Sequence, residues 1–163
     1  MTTDAEISSV HQLVVAAVQT RRCAEGGRTL LHLAADPASS FVDDVRYSDL
    51  PSSAAVKSLL EAGAEVNSMY ADGDTPLHTA VFSELETSRR DVWLEVTDLL
   101  LQYGAHVDFV NADGVTASCL LPPSVDVFEH VSLKCLAARA IRKHQVPYRE
   151  ILPTILADFV DRH

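Results

Sequence analysis

The chain has 163 residues, 47% of them apolar, enough for one globular domain with a core and a small appendage. A net charge of -10 and a pI near 5.0 exclude the basic face that grips a phosphate backbone, so no nucleic-acid partner is expected. Cys23, Cys119 and Cys135 lie too far apart for a disulfide framework or a zinc knuckle, and there is neither a signal-type N-terminus nor an apolar run of the roughly 20 residues that span a bilayer, so the expectation is a reducing, cytoplasmic setting, with the nucleus also open and no membrane association.

Residues 1–26 carry Val10, Leu13, Val14, Ala17 and Val18 at helical spacing, which predicts a helix packed on the next element. Gly26 and Gly27 break it, and a repeat begins over 27–123. GRTLLHLAA, from Gly27, returns as GDTPLHTAV, from Gly73, and more weakly as GVTASCLL, from Gly114. A second shared string follows the first two: SLLEAGAEVN, from Ser58, and LLLQYGAHVD, from Leu99. Thr29 and Thr75 stand where a helix N-cap is needed, and Pro76 follows at the first helical position. His32 and His78 fall in the first turn, placed to bond backbone between adjacent units. Leu59-Leu60 and Leu100-Leu101 supply the buried ridge of a second helix, which Gly63 and Gly104 end in the left-handed conformation.

These strings resemble ankyrin repeats, which implies a stack of antiparallel helix pairs joined by β-turn fingers. The interval between repeats exceeds the ~33 residues of an ankyrin unit. The excess lies between the helices of each unit, in Asp36 to Ala55, read as a loop, and in Phe82 to Val96, whose Leu85, Val92, Trp93 and Val96 extend the helices. Two units are full and the third, closed by Pro122-Pro123, is partial.

The last stretch, 124–163, predicts two short amphipathic helices. Ser132 caps the first, and Leu133, Leu136, Ala137, Ala140 and Ile141 form one apolar stripe that has to be covered by a partner or by the stack. Val146-Pro147-Tyr148 ends it, and Leu152-Pro153 opens a second helix with Ile155, Leu156, Phe159 and Val160 on one side. SLKCLAARAI resembles the elongin-binding helix of the SOCS-box and VHL-box families. That resemblance implies elongin B/C binding through Leu133 as the anchor, with Leu136, Ala137 and Ile141 around it. LPTIL resembles the cullin-contacting segment of those boxes and implies cullin contacts by Leu152, Pro153, Ile155 and Leu156. Ile155 stands where the cullin-5 form has a second proline, which leans the pairing towards cullin-2.

The long-period units, SLKCLAARAIRKH and LPTILADFVDRH together resemble the C-terminal part of the fem (feminization) family of ankyrin proteins, from about Val10 to His163. Members of that family are substrate receptors of cullin-2 RING ubiquitin ligases and recognise degrons with further upstream repeats. The resemblance therefore implies an all-α ankyrin solenoid with a helical docking box, acting as an adaptor for an unidentified client protein. The competing expectation is a plain ankyrin interaction module whose terminal helices cap the stack; its sign is Leu133 and Leu136 buried against the third repeat.

No enzyme is expected, since no paired carboxylates, phosphate cradle or catalytic triad is visible. No cofactor or metal set is expected either: His32 and His78 are repeat residues without further ligands at metal spacing. Cys135 reads as a small apolar residue of the docking helix, and Glu84, Glu86, Asp91, Glu95 and Asp98 as a solvated acidic face.

Overall fold

The computed structural model describes residues 27–36, 41–42, 45–46, 52–82, 90–123 and 125–163. The helix expected within residues 1–26 lies outside the described residues, as do 37–40, 43–44 and 47–51 of the first insert and 83–89 of the second, with Leu85 and the acidic residues Glu84 and Glu86.

Two antiparallel helix pairs form the stack. Helix α1 (Leu30–Ala35) packs on α2 (Ser53–Glu61), and α3 (Pro76–Phe82) packs on α4 (Arg90–Gln102); α1 also lies against α3, and α2 against α4. The shared core contains Leu31, Val56, Leu60, Leu77, Val81, Trp93, Val96, Leu100 and Val107, all fully or nearly fully buried. Trp93 brings a polar edge into it, and its Nε1–H donates to the Ala80 carbonyl over 2.9 Å, so the burial leaves no orphan donor. This tryptophan belongs to the second insert, whose later part is the first two turns of α4. The first insert, expected to be a loop throughout, contains a two-stranded antiparallel hairpin, β1 (Phe41–Val42) with β2 (Val45–Arg46), where aromatic and β-branched residues favour extended backbone. Among the described residues the other elements are helices, with one isolated bridge between Val110 and Thr116.

Gly63 and Gly104 both take φ of 86° just beyond α2 and α4. Ala64 N–H returns to the Leu59 carbonyl and Ala105 N–H to Leu100, so each helix end is closed by its own backbone. The third unit is shorter than its forerunners. Thr116 begins only one 3₁₀ turn, Ala117–Cys119, before Pro122 and Pro123 halt it. A second 3₁₀ turn, Val127–His130, leads to α5 (Leu133–Lys143) and α6 (Thr154–Asp161), which pack on each other.

Candidate functional site

The repeat histidines tie unit to unit. His32 Nδ1 accepts from the Thr29 backbone N–H at 3.1 Å and lies 2.8 Å from Thr29 Oγ1, while its Nε2 meets the Asp74 carbonyl of the next unit at 3.1 Å. His78 repeats the pattern with Thr75 at 3.3 and 2.9 Å and with the Val115 carbonyl at 3.3 Å. An acceptor Nδ1 and a carbonyl partner at Nε2 define the neutral ring with its hydrogen on Nε2. Burial holds both in that form: it lowers the pKa of His78 and takes that of His32 to about 4, although the Asp74 carbonyl pulls His32 the other way. These imidazoles are fully engaged, with no lone pair left for a metal. In the third unit Cys119 replaces the histidine, its Sγ 3.2 Å from Thr116 Oγ1.

The terminal helices carry the exposed apolar surface. Ser132 caps α5, its side chain accepting from the Cys135 N–H. The residues of α5 turned inward are Cys135 and Ala138, at 0% and 2% exposure. The stripe expected to be covered is open instead: Leu133 is 84% exposed, Leu136 46%, Ala137 and Ala140 are exposed, and Ile141 is half-buried. The reason is steric, because small side chains let α5 approach its neighbours closely while the leucines fall on the flank. In α6 the expected single face divides the same way. Ala157 and Val160 are buried, whereas Ile155 is 81% exposed, Leu156 and Pro153 are exposed and Leu152 is half-buried. Leu133 and Leu136 are not buried, so the sign expected of a plain cap is absent. Isolated apolar side chains at a surface are ordinary; here several are exposed on two helices that pack on each other.

Sequence reading missed the junction that seats these helices. His106 and Asp108 follow α4; Cys135 reaches them from α5 and His163 from the end of α6. The His106 ring stacks on Phe109 at 4.4 Å between centroids, Phe159 lies 4.2 Å from His163, and the Val110 N–H donates to the Arg162 carbonyl at 2.8 Å. Burial, then the nearby His163, pushes the His106 pKa down. Burial opposes ionisation of Asp108, but the attraction of His163 outweighs it and the carboxyl pKa is lowered. One signal was available: where the first string reads Glu65-Val66-Asn67, the second reads His106-Val107-Asp108. Asn67 bridges to the next unit, accepting from His106 N–H at 2.8 Å and donating to the Gly104 carbonyl at 3.0 Å. Asp108, at the matching position, faces the terminal helices instead.

Stacked helix pairs with Thr-x-x-His turns and glycine-closed second helices define an ankyrin-repeat protein, a protein-interaction class, and residues 72–112 match the ankyrin repeat family. Similarity extends well beyond that repeat. "Protein fem-1 homolog A-A" of Mus musculus is 35% identical over 159 residues, covering 94% of this chain and 23% of the relative. "Protein fem-1 homolog A" of Homo sapiens is 33% identical over the same shares, and "Protein fem-1 homolog C" of Danio rerio is 34% identical over 152 residues, covering 90% of this chain and 23% of the relative. Over nearly its whole length the chain belongs to the fem-1 family, and it spans about a quarter of the length of these relatives. Among the described residues no helix is long and apolar enough to cross a membrane.

Proposed function

We propose that the chain is a non-catalytic adaptor or substrate-receptor subunit of a cullin-RING ubiquitin ligase. The ankyrin stack, 27–123, offers its face to a client protein, and the box, 124–163, docks elongin B/C through Leu133, Leu136, Ala137 and Ile141. Leu152, Pro153, Ile155 and Leu156 take cullin-2. The setting is the cytoplasm, and the nucleus as well. Its mechanism is proximity: one surface holds the ligase core while the other holds the client near the charged enzyme.

The observation that carries this reading is the exposure of Leu133, 84%, in the first turn of a capped helix whose other face is already packed. A large aliphatic residue held rigidly in solvent is what an apolar pocket on a partner recognises. Burying it is worth about 1.5–3 kcal/mol, and a carboxylate in its place puts a charge into that pocket.

Co-expression with elongin B and elongin C, followed by size exclusion, tests the reading. The wild-type chain is expected to elute as a stoichiometric complex and Leu133→Asp to elute alone. A wild-type chain that runs free of elongin returns the protein to a plain ankyrin module. Persistence of the complex in Leu133→Asp removes the assignment of the anchor.

A further inference from the structure

His106, Asp108, Cys135 and His163 place one side-chain donor each around a common point: the imidazole nitrogens, the carboxylate oxygen and the thiol sulfur all lie within 4.8 Å of one another. Cys135 Sγ is 3.3 Å from His106 Nδ1, and Asp108 Oδ1 is 3.4 Å from His163 Nε2 and 3.9 Å from His106 Nδ1. Bonds of about 2.0–2.3 Å to a tetrahedral ion separate its ligands by ~3.3–3.7 Å, so the two shorter spacings match a bound set and the wider ones, within 4.8 Å, would have to close by up to about 1 Å on binding. Cys135, Asp108 and His163 are buried and His106 is half-buried.

Proton accounting at this cluster leaves a gap. His163 Nδ1 is 2.8 Å from the Phe159 carbonyl, which can only accept, so the ring carries its hydrogen there. Without a hydrogen on Nε2 the ring turns a lone pair towards the Asp108 carboxylate, acceptor against acceptor; with one, it reaches Asp108 Oδ1 alone, over 3.4 Å. Both Asp108 oxygens and His163 Nε2 are buried without a hydrogen-bond partner among the described residues. An ionised carboxylate buried in that state requires a cation, either a protonated His163 ring or a bound ion. A proton on Nε2 would serve one oxygen only.

We propose that these four residues form a structural site for a divalent transition-metal ion, Zn²⁺ by its donors, which fastens the terminal helix pair to the turn that closes the second repeat. One sulfur, two imidazole nitrogens and one carboxylate oxygen suit zinc and do not suit calcium or magnesium, which take oxygen ligands. Two anionic ligands, the Cys135 thiolate and Asp108, balance the charge of the ion, and the thiol proton goes to solvent on binding. The outer groups are those that metal ligands use. His163 is oriented by its Nδ1–H on a backbone carbonyl, and Ser132 Oγ donates to Cys135 Sγ at 3.1 Å. Four protein ligands leave no open position, so the role is mechanical and not catalytic. The ligands come from the turn after α4, from α5 and from the end of α6, so the ion sets the orientation of the exposed leucines without touching them. The inference does not depend on what those leucines bind.

The test uses the full chain without an affinity tag. After expression with zinc and exhaustive dialysis, elemental analysis is expected to find about one zinc per chain. Chelation is expected to lower the melting temperature. Replacement by Co²⁺ is expected to give a thiolate-to-cobalt charge-transfer band that survives in the Cys23→Ser/Cys119→Ser double variant, where Cys135 is the remaining thiol, and disappears in Cys135→Ser. The double variant keeps the test decisive even if Cys135→Ser does not fold. A folded wild-type chain with no zinc and no cobalt band would show that the cluster is a plain His163–Asp108 ion pair and overturn the proposal. So would a band that the double variant loses.

Discussion

His32 and His78 each join two repeats through the two nitrogens of one ring, which makes them sensitive to acid in a definite direction. The unfolded chain protonates such a histidine near pH 6.5, whereas folded His32 resists until about pH 4. A folded pKa below the unfolded one means stability is complete above about 6.5 and is lost as the pH falls towards 4. For His32 the loss is on the order of 3 kcal/mol, and His78 adds to it in the same direction. Urea midpoints measured from pH 7 down to pH 4 are expected to fall steadily, and His32→Gln, which cannot titrate, is expected to flatten the curve. At neutral pH His78→Ala strands the buried Thr75 N–H and Val115 carbonyl and leaves a hole, a cost of about 2–4 kcal/mol. Trp93 is the sole tryptophan, so its emission reports both transitions from inside the core.

Between elements, the stack is held as much by the turns after the second helices as by the helix faces. Asn67 takes two backbone groups of the next unit at once, and Asn67→Ala is expected to destabilise by about 1–3 kcal/mol, read as a lower urea midpoint. Gly104 offers a cleaner measure of conformation alone. Its φ is 86° and an added Cβ would meet nothing within 4 Å, so Gly104→Ala carries only the left-handed penalty, about 1–2 kcal/mol. Features of this kind are legible in sequence because they are local: threonine three before histidine, leucine pair before glycine, proline at a helix start. The facing of α5 was not. Its period marks an amphipathic helix, but Cys135 and Ala138 are apolar as well as Leu133 and Leu136, and period alone cannot say which set is covered. The packing answered through size, since small residues permit close approach. The four-ligand junction was hidden for another reason: its members come from three separate stretches, and only folding makes them neighbours.

At the scale of the molecule, the chain presents two surfaces with different thermodynamic behaviour, and that difference separates docking from folding. Leu133 is 84% exposed and contributes almost nothing to the folded state, so Leu133→Asp is expected to change the unfolding free energy by no more than about 0.5 kcal/mol. Ala138, at 2% exposure on the opposite face of the same helix, has no such latitude. Ala138→Leu forces extra volume into the α5 contact and is expected to destabilise by about 1–3 kcal/mol. If the exposed face is a docking surface, elongin association must be abolished by the first variant at unchanged melting temperature. In the second, association should weaken only as far as the box itself loosens, and should recover as temperature is lowered. A Leu133→Asp chain that melts several degrees early would mean that this leucine packs against its own protein in solution, and the free surface inferred from its exposure would not exist.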